Sequence, residues 1–130
     1  MERRAINPWN WQAHFGFVQA NEVREAQRIL IISGQTAIDG NGHVVAARDM
    51  AGQVRVALDN LETVLQEADM SLQNLVRLTF YTVDMDRFLA EASEVLASRL
   101  AEVEYAASYL GITRLAFPDL LVEIEATAIA

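Results

Sequence analysis

Between Asp49 and Ala68 the apolar residues Val54, Leu58, Leu61, Leu65 and Ala68 recur at spacings of three and four, with Arg55, Asp59, Glu62 and Gln66 between them. That period gathers the apolar set into one stripe and predicts an amphipathic helix, with Asp49 able to act as its N-cap. A second stripe, Phe88, Ala92, Val95, Leu96, Leu100 and Val103, follows Asp84-Met85-Asp86 and predicts a helix to about Val103. Its Glu91, Glu94, Arg99 and Glu102 read as a solvated face. Between the helices the period changes to two. From Leu75 to Val83, Val76, Leu78 and Phe80 alternate with Arg77, Thr79 and Tyr81, the pattern of a strand with unlike faces.

The remaining pattern predicts strands. His14–Val23 and Gln27–Ser33 read as a pair joined by the polar turn Asn21 to Glu25. Ile29 to Ile32 are apolar on both faces, so the second of these is expected to lie centrally in the sheet. Asp39-Gly40-Asn41-Gly42 is a turn cluster before a short apolar piece at Val44-Val45. Ala107–Leu115 reads as a further strand, and Phe117-Pro118-Asp119 turns the chain into a last one at Leu120–Ile129. Met1 to about Ala13, with Pro8 between Asn7 and Trp9, reads as a loosely structured lead-in. Trp9, Trp11, His14 and Phe15 form an aromatic cluster that either caps the core or an interface or lines a pocket. The whole is one α+β domain over residues 1–130, a mixed six-stranded sheet with two helices on one face.

The last strand carries the chemical oddity. Leu120, Val122, Ile124, Ala126 and Ala128 share one face, while Glu123 and Glu125 share the other with Leu121, Thr127 and Ile129. Residues two apart on a strand face lie roughly 6.5–7 Å apart, close enough for each charge to raise the other's pKa where solvation is poor. A carboxyl so tuned can act as general acid or base. The alternative is that one or both simply pair with Arg114, Arg77 or an arginine of a neighbouring subunit.

Composition narrows the chemistry by elimination. The net charge is −8, and the ten basic residues, all arginine, are scattered, which speaks against nucleic acid as a partner. Without lysine there is neither a Schiff base nor a Walker-type phosphate loop. No cysteine is present, so no thiol nucleophile and no disulfide. His14 and His43 stand in no ligand spacing, and no metal site is expected. No Gly-x-Ser-x-Gly or Gly-x-Gly-x-x-Gly occurs. No apolar run approaches the roughly 20 residues of a membrane span and the N-terminus carries no signal pattern, so a cytoplasmic protein without membrane contact is expected. The hydrophobic fraction of 52% is high for so small a domain, and an oligomer interface would account for the surplus.

Several ordered segments carry a resemblance: Ser33-Gly34-Gln35, Asp49-Met50, Leu58-Asp59-Asn60-Leu61, Asn74 to Thr79 with Val83-Asp84-Met85, and the closing Val122-Glu123-Ile124-Glu125-Ala126. Together, from about Gly16 to Ala128, they resemble the Rid (YjgF/RidA) superfamily. The resemblance implies a chorismate-mutase-like α+β fold, a homotrimer with a central barrel, and ligand clefts between subunits. It also implies hydrolytic deamination of enamines and imines such as 2-aminoacrylate, with no cofactor. In that scheme an arginine early in the fifth strand grips the substrate carboxylate, and the first glutamate of the closing motif, here Glu123, positions the attacking water. The arginine is missing: its place falls on Ala107 or Ser108. The family's pocket tyrosine corresponds to Phe17 and an asparagine of the second helix to Ala92.

Loss of the guanidinium removes a bidentate carboxylate clamp, so a less anionic ligand is expected. The pocket would be lined by Phe17, Tyr81 and Tyr109, with Trp9 or Trp11 beside them and backbone groups at Ser33 and Gly34; Arg114 is the candidate replacement cation. Two functional readings follow. One is an enzyme in which Glu123 serves as acid/base on a small, uncharged or aromatic metabolite. The other is a non-catalytic trimeric module binding a metabolite or protein in the same cleft.

Overall fold

The computed structural model describes residues 1–130 as nine regular elements in two sheets and one helical layer. Helix α1 (Met50–Glu67) forms where the first stripe predicts it, and Val54, Leu58, Leu61 and Leu65 are wholly buried. The Asp49 carboxylate accepts the Gly52 amide proton, satisfying one of the donors a helix start leaves free. Strand β4 (Leu75–Thr82) follows, with Leu78 and Phe80 turned toward the helices.

The second helix is two helices. α2 (Met85–Glu91), capped by Asp84 on the Arg87 amide, and α3 (Ser93–Arg99) meet at Ala92. At the joint the Ser93 hydroxyl donates to the Leu89 carbonyl, a local bond that competes with the helix ladder and bends it. The stripe survives the bend, since Phe88, Ala92, Val95, Leu96, Leu100 and Val103 are all buried in the main core. Only the continuity to Val103 is lost.

The main sheet has the order β3-β6-β4-β5, formed by β3 (Ile29–Gln35), β6 (Val122–Ile129), β4 and β5 (Ala106–Gly111), with β4 and β5 parallel and the other pairs antiparallel. The six strands are therefore divided, because the other two, β1 (Glu2–Ile6) and β2 (Ala20–Arg24), form a separate antiparallel ribbon. The expected lead-in is thus partly a strand. Its pattern is too polar to betray it, and the ribbon is tied down by side chains instead: the Arg3 guanidinium donates to the carbonyls of Gln73, Leu75 and Glu104, and the Asn21 amide to those of Val76 and Glu104. Consequently β2 does not pair with β3, as the apparent hairpin suggested. Residues 13–15 form a single 3-10 turn ended by Gly16 in the left-handed conformation, and Val18 bridges in parallel to Ala106 at the edge of β5.

β3 is an edge strand and not a central one. Leu30 and Ile32 face the helical layer, but Ile29 and Ile31 are 66% and 78% exposed. Two-sided apolarity predicts cover on both faces; the helices of one chain supply it on only one. The Asp39 turn forms as read, with its carboxylate accepting the Asn41 and His43 amides and Ile38 bridging Val44.

Candidate functional site

The bare face of the main sheet carries the acids. Alternation on β6 sends Val122, Ile124, Ala126 and Ala128 into the core and leaves Glu123, Glu125 and Thr127 outward. The register sets Tyr81 opposite Glu123 and Thr79 opposite Glu125. The Tyr81 hydroxyl donates to Glu125 Oε1 at 2.5 Å, and that bond, before burial, raises the pKa of the phenol. Glu125 is therefore engaged by a tyrosine, and neither acid of the pair meets an arginine within the chain.

Glu123 is placed by β3. Between Ile32, which pairs with Ala126, and Gln35, which pairs with Ile124, the register slips by one residue, so Ser33 and Gly34 bulge together against β6. The Glu123 side chain lies across Gly34 so closely that a Cβ there would stand 2.7 Å from both its Cγ and Oε2. Any Cβ at this position would push the Glu123 side chain aside. Partial burial, and then the charge of Glu125, raise the Glu123 pKa above the ordinary glutamate range. An unpaired carboxyl with a raised pKa, half-buried on a rigid strand, suits proton transfer.

Parity on β5 separates the other expected site residues. Ser108 lies on the bare face and accepts from Arg77 Nη2 at 2.9 Å. Ala107 and Tyr109 lie on the helix side, packed against the core. Phe17 joins them there, 5.9 Å from Tyr109 and 6.1 Å from Trp11 between ring centroids. Trp11 and Trp9 are themselves exposed. Ala92 is buried at the α2–α3 joint. Within one chain, then, Glu123, Tyr81, Ser33, Gly34 and Ser108 come together, while Phe17, Ala107 and Tyr109 gather on the opposite face. Arg114 belongs to neither group: it lies beyond the end of β5, exposed, its Nε donating to the Leu115 carbonyl. The cation on the Glu125 face is Arg77, which shares a groove of about 450 Å³ with Tyr81, Ser108 and Glu125. The alternation that set Arg77 beside Thr79 and Tyr81 was the signal for it.

The sequence profile of the family described as Endoribonuclease L-PSP matches residues 11–130. The chain belongs to the YjgF/Rid superfamily. A RutC family protein of Pyrococcus horikoshii is 35% identical over 104 residues, covering 80% of this chain and 81% of the relative. The Rid-family protein YyfB of Yersinia pestis superposes with a TM-score of 0.88 at 36% identity over 100% of both chains. A Mycobacterium tuberculosis member of the YjgF/YER057c/UK114 family has a TM-score of 0.66 at 28% identity, covering 99% of this chain and 100% of its own. No helix is long and apolar enough to cross a membrane.

Proposed function

We propose that this Rid-family chain is a cofactor-independent hydrolase of small imines or enamines other than 2-aminoacrylate, working in clefts between the protomers of a homotrimer. The observation that carries the reading is Glu123, held across Gly34 on the bare sheet face with no cation to neutralise it. As an ionised base it takes a proton from water while the oxygen adds to the C=N carbon. The nitrogen takes that proton back, giving a carbinolamine. Glu123 then moves the carbinolamine hydroxyl proton to the nitrogen, and C–N cleavage releases ammonia and leaves a carbonyl compound. The raised pKa brings the carboxyl nearer to working pH for both transfers. Trimer formation is favoured by Ile29 and Ile31, which stand exposed on β3, Ile31 in the groove with Glu125, and a neighbouring protomer can bring an aromatic edge such as Phe17 and Tyr109 to a Glu123 that its own chain keeps on the other face.

Substrate choice follows from what holds the far end. At the two positions where the family's arginine falls, Ala107 has no polar group and Ser108 already accepts from Arg77. A carboxylate substrate therefore lacks a bidentate clamp. Ammonia release should be measured from a panel of neutral, aromatic and carboxylated imines. Turnover of neutral or aromatic members with 2-aminoacrylate at background supports the reading; no turnover of any member favours the non-catalytic module. Rapid turnover of 2-aminoacrylate makes Arg77 the first suspect as carboxylate anchor. An endoribonuclease, as the family description has it, needs phosphate contacts that a chain of net charge −8 is poorly supplied to make.

Gly34→Ala tests the placement of the base. The added methyl collides with the end of a flexible side chain, so the carboxyl swings aside while the fold stays intact. Turnover is expected to fall by about 10², the cost of misplacing a reacting group by roughly 1 Å, with Tm nearly unchanged. A variant as active as wild type would mean that the carboxyl position does not matter.

A further inference from the structure

On the outward face of the main sheet, an ion pair within reach is not made. The register sets Arg77 opposite Thr127 and Tyr81 opposite Glu123. Both are therefore diagonal neighbours of Glu125, a spacing that long side chains bridge. Glu125 takes the tyrosine, whose hydroxyl donates to its Oε1 at 2.5 Å. Arg77 turns toward β5 and donates from Nη2 to the Ser108 hydroxyl at 2.9 Å. All four side chains border one groove, yet no ion pair links the two charges. The distinction bears on Glu123. A guanidinium against Glu125 would neutralise its charge, whereas a phenol fixes the carboxylate and leaves the charge standing.

We propose that Tyr81 and Ser108 are positioning residues that hold Glu125 and Arg77 apart, and so keep an unneutralised carboxylate beside Glu123. Their use in catalysis rests on the hydrolysis proposed above; the charge arrangement itself does not. Glu125 lies roughly 6.5–7 Å from Glu123 along the strand face. Both are half-buried, where charges are screened less than in open water. Arg77 and Tyr81 on β4 and Glu125 on β6 are the charged or titratable groups of this face around Glu123, and β3 and the outward positions of β5 supply none. Burial first, and then the Glu125 charge, lift the Glu123 pKa. The second cause is the adjustable one, because it is lost wherever Arg77 reaches Glu125. The bond to Glu125 in turn raises the pKa of the phenol, so Tyr81 remains a donor at neutral pH.

Carbon-detected NMR titration of the Glu123 carboxyl reads the effect without any substrate. Relative to wild type, Glu125→Gln is expected to move its midpoint down in pH, while burial keeps it above the ordinary glutamate value. Tyr81→Phe and Ser108→Ala should move it the same way by less, each freeing one charge to approach the other. Combining Tyr81→Phe with Arg77→Gln should cancel the Tyr81→Phe shift, since no cation is left to receive the freed carboxylate. The exchanges are close in size, and circular dichroism should stay that of wild type. On an imine the protein hydrolyses, the acid limb of kcat/KM should follow the same order of shifts, which a loss of packing would not produce. An unmoved midpoint in Glu125→Gln or in Tyr81→Phe overturns the proposal, as does a Tyr81→Phe shift that survives the loss of Arg77. Midpoints that move as expected in a protein without imine turnover uphold the charge arrangement and count against the hydrolysis instead.

Discussion

Replacing Glu123 by glutamine is expected to lower kcat on any imine the protein hydrolyses by roughly 10²–10⁴-fold, the usual contribution of a positioned acid/base. Glutamine keeps the size and the packing over Gly34 and removes only the proton exchange. Stability should move the other way. Burial and Glu125 raise the Glu123 pKa, so the folded chain holds that proton more tightly than the unfolded chain does. The stability this coupling contributes is fully present below the ordinary glutamate value of about 4.3 and is lost as pH rises through the higher folded value. Ionised Glu123 is thus a net cost at neutral pH. Thermal melts should place Glu123→Gln above wild type at neutral pH, with the gap closing in acid. Wild-type kcat/KM should fall as pH drops through the raised pKa, an acid limb displaced upward from that of a free glutamate. A glutamine variant as active as wild type across the panel would remove Glu123 from the chemistry.

The helical layer was legible because its signals are local. The stripe of α1, the alternation of β4, the alternation of β6 and the cap at Asp49 are each set by residues close in sequence, and all four stand as read. Signals failed where the deciding contact lies far off in sequence. β1 is held by Arg3 reaching carbonyls 70 to 101 residues away, which no window on residues 1–13 can show. The edge position of β3 contradicts its composition, because composition records the cover a face requires and says nothing of which chain provides it.

The candidate site divides the same way. That Glu123 and Glu125 share a face follows from strand parity. That one lies across Gly34 while the other takes the Tyr81 hydroxyl depends on the β3–β6 bulge and the β4–β6 register. Parity also explains why the expected lining divides between the two faces of one chain. Ala107 and Ser108 were interchangeable on alignment, yet one residue along β5 is the whole thickness of the sheet, and it assigns them to opposite faces. Arg114 lies off both faces for a related reason: the strand ends at Gly111, so residues counted along it no longer lie beside it.

Ile31→Arg is expected to dissociate the assembly while sparing the protomer. Ile31 is 78% exposed on β3, borders the groove that holds Tyr81 and Glu125, and makes no part of the chain's own core. Full burial of an isoleucine is worth about 1.5–3 kcal/mol, and placing an unpaired guanidinium in the same contact costs more. A loss of roughly 3 kcal/mol at each interface weakens association by about a hundredfold. In the proposed trimer three copies close a ring, so the loss recurs at every contact. Sedimentation velocity should give three times the chain mass for wild type and the single-chain mass for the variant, with unchanged far-ultraviolet circular dichroism. Activity should disappear with the assembly if the cleft needs two protomers. That separates it from Glu123→Gln, which should lose activity and keep its mass. A wild-type protein that sediments as a single chain, or a variant that assembles normally, would leave the exposed isoleucines without the interface assigned to them.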